Sequence, residues 1–351
     1  MSSSRDSGGR AAWERFRQRF FSTHALLLLL AAQTLAAGGS ANAHFAVQAG
    51  TRALITTASG ARLREQPDAG SAEVGRLQLG LVVEELERSA EKARVGSAEA
   101  YWHKVSAPGG ASGWVFGSLV APFDPARRDE TYLRLSSERV SNAAATFPEL
   151  SELVRFLDRA TKEVTRAEAR AELELTRLLA LGRTLANIAM EDLEKPPYKP
   201  WVKEYESEIV YSEPAGQWYV RSELLWSLRR KYAGLPLAER IAWEAAQTPL
   251  PGECEGYLPC YFYKETETNG LYLKLHPSGA HADQALASIS EFFGHVTEDL
   301  RGTNPAFEVP SEDRANFRKS VAALRAQLAL VPAAKKARVL GQLDEIARHF
   351  R

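Results

Sequence analysis

Gly113-Trp114-Val115-Phe116-Gly117-Ser118-Leu119-Val120 is a short aromatic and β-branched run with a glycine before it and another inside it. That composition suits a pleated strand better than a helix. Upstream, Leu81-Val82-Val83 and Ala53-Leu54-Ile55 repeat the pattern, separated by turn clusters of Gly, Pro and Asp. Runs this short and this closely spaced predict a β-rich region over 51–123, with five or six strands closing a small barrel.

Four blocks within it resemble, in order, the bacterial SH3-like family. They are Ala61-Arg62-Leu63-Arg64-Glu65-Gln66-Pro67, Val74-Gly75-Arg76-Leu77-Gln78-Leu79-Gly80, Tyr101-Trp102-His103-Lys104-Val105, and the Gly113–Val120 run itself. Glu65-Gln66 stands where the family has Ser-Gly, and an insertion from Arg88 to Ala100 lengthens one hairpin. The resemblance implies a non-enzymatic domain that binds cell-wall peptides or protein segments. A half-open barrel presents aromatic faces to extended chains, which makes Tyr101, Trp102 and Trp114 the candidate ligand contacts. The competing assignment for these tryptophans is core, because a tiny barrel needs large side chains to fill it.

After the polar joint Asp124-Pro125, with Arg127-Arg128, helical spacing takes over. Phe147-Pro148-Glu149 reads as a helix start, and Leu150, Leu153, Val154 and Leu157 follow on one face. A longer helix is expected from about Thr165 to Glu194, ended by Pro196-Pro197. Helices are then expected over Trp218–Tyr232 and Leu237–Gln247. Trp201, Trp218, Trp226 and Trp243 beside alanines indicate close helix packing rather than an aromatic ligand cage. A closing helical hairpin turns at Pro332. The stretch from Tyr272 to Leu286, with its His276-Pro277-Ser278-Gly279 corner, resembles the turn of a tetratricopeptide-like pair. It implies a short solenoid-like body of the kind that docks proteins. The fold class is therefore multidomain β plus α: a barrel over 44–123, then an α-helical domain over 124–351.

Residues 1–43 read as a secretory signal peptide. Five arginines precede His24-Ala25-Leu26-Leu27-Leu28-Leu29-Leu30, and Ala41-Asn42-Ala43 places small residues at a cleavage site. The apolar run is about 13 residues, short of the roughly 20 that span a bilayer. Cleavage would leave a periplasmic or secreted product with no membrane span. That product carries 39 basic and 42 acidic groups, so it offers no electrostatic footprint for nucleic acid.

In an oxidising compartment Cys254 and Cys260 are expected to form a disulfide. The loop they close carries Glu255 and Tyr257, with Glu253 directly before it, either a presented recognition loop or a stapled connection between helices. Paired thiols cannot act as nucleophiles, and His276, His281 and His295 lack a regular metal-ligand spacing. No phosphate-cradling loop, dinucleotide fingerprint or nucleophile elbow is present. The chain is expected to be a binding or scaffold protein with no cofactor, no metal and no catalytic set. Its expected partner is a protein or a cell-wall peptide. Alternatives are an assembly protein whose barrel packs on its own helices, and a cell-wall hydrolase.

Overall fold

The computed structural model of the chain describes residues 52–351. The signal peptide read over 1–43 and the first residues of the barrel range lie outside the described residues.

Strands β1 (Arg52–Thr56), β2 (Ala61–Arg64), β3 (Glu73–Leu77), β4 (Val82–Arg88), β7 (Trp102–Ser106), β8 (Ser112–Phe116) and β9 (Val120–Pro122) form one sheet in the order β3-β2-β8-β7-β4-β1-β9. All its pairings are antiparallel. The Arg88–Ala100 insertion contributes β5 (Ala93–Val95) and β6 (Ala98–Ala100), a separate two-stranded sheet. Side chains alternate across each strand. One set (Leu54, Leu63, Leu77, Val83, Val105 and Val115) fills the barrel interior. Their neighbours point elsewhere: Ile55, Leu79 and Phe123 belong to the apolar core of the helices.

Asp124 opens the helical region by accepting the Ala126 N–H at 2.9 Å. Helix α1 (Arg128–Val140) follows, then α2 (Phe147–Glu163). Thr146 and Glu149 form a capping box at the start of α2, with Pro148 in the first turn. Helix α3 (Ala167–Ala186) stops eight residues before the expected end at Glu194. Asn187 turns its side chain back onto the Arg183 carbonyl and caps it. After the short α4 (Tyr198–Glu204), a hairpin replaces the start of the next expected helix. Its strands β10 (Ile209–Ser212) and β11 (Gln217–Val220) pair Tyr211 with Trp218 across the Glu213–Gly216 turn. Gln-Trp-Tyr-Val favours a strand, and helix α5 (Ser222–Lys231) begins only after it.

Helix α6 (Ala238–Gln247) leads to the disulfide loop and to α7 (Leu258–Glu265). A π-helical turn, Thr266–Gly270, joins α7 to α8 (Leu271–Leu275). Helices α9 (Ala282–Leu300), α10 (Arg314–Gln327) and α11 (Ala333–His349) complete the body. No helix among the described residues is long and apolar enough to cross a membrane.

Barrel and helices belong to one compact unit. Polar contacts fasten them. Glu152 of α2 accepts the Leu79 N–H at 2.6 Å, Arg159 donates to the Leu79 carbonyl at 3.0 Å, and Arg139 of α1 donates to the Thr57 carbonyl.

Candidate functional site

Three places deserve comparison: the barrel aromatics, the disulfide loop and the junction between barrel and helices.

Trp102 and Trp114 are only 4% and 8% exposed, yet neither lies inside the barrel. With Phe116 they form a separate cluster on the outer face of β7 and β8, and Ala93, Val95, Ala98 and Ala100 of the inserted hairpin pack over it. Trp102 and Phe116 are cross-strand partners with ring centroids 5.2 Å apart. The Trp102 indole Nε1 is buried and has no hydrogen-bond partner, an arrangement that costs about 1–3 kcal/mol. Tyr101 is half-buried; the Arg88 guanidinium stands 4.7 Å from its ring centroid and the Lys92 ammonium 5.8 Å. The three candidate contacts therefore line no open groove. The two tryptophans lie beneath a hairpin, and Tyr101 carries two cations. Nearby, His103 Nδ1 is 2.6 Å from Glu85 Oε1, which ties β7 to β4.

Cys254 and Cys260 are joined, with Cα atoms 5.5 Å apart. The loop is fixed from behind, since Leu258 N–H donates to the Glu308 carbonyl and Glu308 N–H to that of Gly256. Tyr257 donates its hydroxyl proton to Asp313 at 2.8 Å, and this bond raises the phenol's pKa above its ordinary value. Glu253 and Glu255 face solvent, and Glu255 takes a φ of +44°. The three residues do not converge: two carboxylates point outward while the phenol is tethered to the start of α10. His276 and His281 flank the α8–α9 corner, where His281 stacks on Trp243 at 4.4 Å.

At the junction a cleft of about 510 Å³ opens between the Gln78 loop of the barrel and helices α2 and α4. Its walls are apolar where Phe147, Pro148, Pro197, Pro200 and Trp201 meet, and charged where Glu152, Arg155, Arg159 and Glu204 line it. The Phe147 and Trp201 rings stand edge to face with centroids 5.4 Å apart, so each holds the other. The Trp201 Nε1 is buried without a partner. Arg155 donates to Glu204 at 2.9 Å, a bond that raises the arginine pKa further. Residues of this cleft were visible in the sequence as a helix start (Phe147 and Pro148), a helix stop (Pro197) and a tryptophan in helix packing (Trp201). Nothing local linked them to Gln78, because the cleft draws on segments more than a hundred residues apart.

Comparison with curated proteins finds no match to the chain. The family described as Bacterial SH3 domain matches residues 59–121, from the turn after β1 to β9. That stretch, including the inserted hairpin, carries a bacterial SH3 domain, and the match ends before the helices begin.

Proposed function

We propose that this chain is an extracytoplasmic, non-catalytic binding protein whose junctional cleft receives an extended peptide of the cell wall. The cleft carries the reading: about 510 Å³ walled by aromatic and proline faces, with charged groups set among them. Aromatic-lined grooves of this kind accept extended backbones. Bacterial SH3 domains commonly bind cell-wall peptides and are typically extracytoplasmic, and the Cys254–Cys260 disulfide is consistent with an oxidising compartment. The disulfide also withdraws both thiols from nucleophilic chemistry.

Co-sedimentation of the whole chain with purified peptidoglycan tests the reading. The chain should pellet with the wall, and Pro200→Trp, which places a large ring in the cleft mouth, should abolish the enrichment. A wild-type chain that stays in the supernatant overturns the assignment, and clearing of wall material on a zymogram overturns its non-catalytic part.

A second reading, an assembly protein whose barrel serves to cover its own helices, draws on the shared packing of Ile55, Leu79 and Phe123. It expects a chain lacking residues 44–123 to aggregate, whether or not wall material is bound.

A further inference from the structure

The inserted hairpin is built to cover something. Ala93 pairs with Ala100, Arg94 with Glu99, and Val95 with Ala98, so the register sorts the side chains by face. The small apolar ones turn inward onto Trp102, Trp114 and Phe116. Arg94 and Glu99 turn outward and approach one another at 4.0 Å. A tight turn at Gly96, with φ of +60°, returns the chain.

Its backbone attachment is confined to its base, where on one side the Gly117 N–H donates to the Tyr101 carbonyl at 2.8 Å. On the other side the Ser89 N–H donates to the Trp102 carbonyl and the Trp102 N–H to Ser89 Oγ, extending the β4–β7 ladder by one step. Beyond that step the hairpin is a sheet of its own, held to the barrel by apolar contact. Four small side chains bury little area, so this cover is weaker than the ladder beneath it. The cover also leaves the Trp102 indole N–H unpaired. An occupant that presented a carbonyl there would make a hydrogen bond that the hairpin does not.

We propose that residues 93–100 are a strap that stands in for a ligand, and that its displacement opens a second binding face made of Trp102, Trp114 and Phe116. The strap defines what replaces it. It is extended, it places alanine or valine at alternate positions against the rings, and it lacks an acceptor for the indole. The ligand class is an extended peptide with small apolar side chains on one face and a backbone carbonyl for Trp102 Nε1. Small side chains are expected to be preferred, because alanine and valine are what the strap packs against the rings. This face is separate from the junctional cleft, and the proposal stands or falls without it.

Two measurements test the strap in the full chain. Hydrogen exchange of the Trp102 indole N–H in the unaltered protein should run at least about tenfold faster than that of the β7–β8 ladder amides, as local opening requires. Exchange that tracks the ladder amides overturns the proposal. Second, a chain whose residues 93–100 are replaced by a Gly-Ser linker should bind the probe peptide acetyl-Ala-Ser-Ala-Ser-Ala about tenfold more tightly than the intact chain. It should prefer that probe to acetyl-Leu-Ser-Leu-Ser-Leu and lose the gain on Trp102→Phe, which keeps a ring and removes the donor. Equal affinity in the two chains, or preference for the leucine probe, overturns it. A linker chain that fails to fold shows the hairpin to be a structural cover and also overturns it. Pro200→Trp should leave every one of these readouts unchanged, which separates failure here from failure of the cleft.

Discussion

The Phe156 ring of α2 occupies the place where a side chain on Gly80 would begin. Gly80 holds a φ of +71°, and its N–H donates to the Thr56 carbonyl at 2.8 Å. One position thus serves the turn into β4, the ladder beside β1 and the seat of a helix on the barrel.

Gly80→Ala should therefore destabilise the junction from two causes, a disfavoured backbone conformation and a clash with an immobile ring. A loss of about 2–4 kcal/mol is expected. Urea unfolding followed by far-ultraviolet circular dichroism would measure it; a change below half a kcal/mol contradicts the packing described.

Glu152→Ala removes the carboxylate that accepts the Leu79 N–H at 2.6 Å. A charge-assisted bond to a part-buried amide is worth about 1–3 kcal/mol. Glu152→Gln keeps an acceptor and should recover part of the loss. Differential scanning calorimetry on the two variants would separate lost hydrogen bonding from lost charge.

Glu265, at the head of the π turn, is pushed up to about 7 by burial, with Asn269 Nδ2 donating to it at 3.1 Å in partial opposition. Its folded-state pKa lies above the ordinary 4.5. The folded protein therefore holds this proton more tightly than the unfolded chain. The associated stability is full below pH 4.5 and is lost as pH rises through about 7. Glu265→Gln should flatten that slope, which a denaturation series between these limits would reveal.

His276 titrates in the opposite sense. Burial lowers its pKa below 6.5, and Arg229 adds to the effect. The stability linked to the neutral ring is present above that value and is lost as pH falls through the lowered pKa. His276→Gln should remove this acid-side loss and leave the Glu265 limb in place, as thermal melts on both variants would show.

Reduction of Cys254–Cys260 opens a loop of six-residue separation. Loop-closure entropy sets the cost at about 2 kcal/mol. Unfolding curves with and without dithiothreitol give the value directly. A shift confined to the loop, with no change in midpoint, would mean that the ties to Glu308 and Asp313 suffice without the bridge.

The barrel was legible because its strands are local: each of the four quoted blocks contains or borders a strand, with turn residues beside it. The start of α2 was legible for the same reason, from Pro148 in the local run Phe147-Pro148-Glu149, whereas the Thr146–Glu149 capping box came from the structure. The β10–β11 hairpin was not, since Gln217–Val220 borders a helical run and only the pairing of Tyr211 with Trp218 reveals a strand. Trp102 and Trp114 illustrate the wider limit. In the sequence they are candidate ligand contacts, with filling of a small barrel as the competing assignment, but the interior is taken by Leu54, Val105 and Val115. The insertion folds back to bury the tryptophans from outside.

The amino-acid sequence by itself determined the β-then-α order, the SH3-like blocks and the pairing of the two cysteines, because each follows from patterns within a few tens of residues. Tertiary structure alone decided which face of each strand meets the helices, what lies over the aromatic cluster, and where a cleft opens. Those features depend on long-range contacts such as Leu79 with Glu152 and Arg159, or Phe156 with Gly80. Such contacts leave no periodic trace in the chain, because each is satisfied once and by a partner remote in sequence.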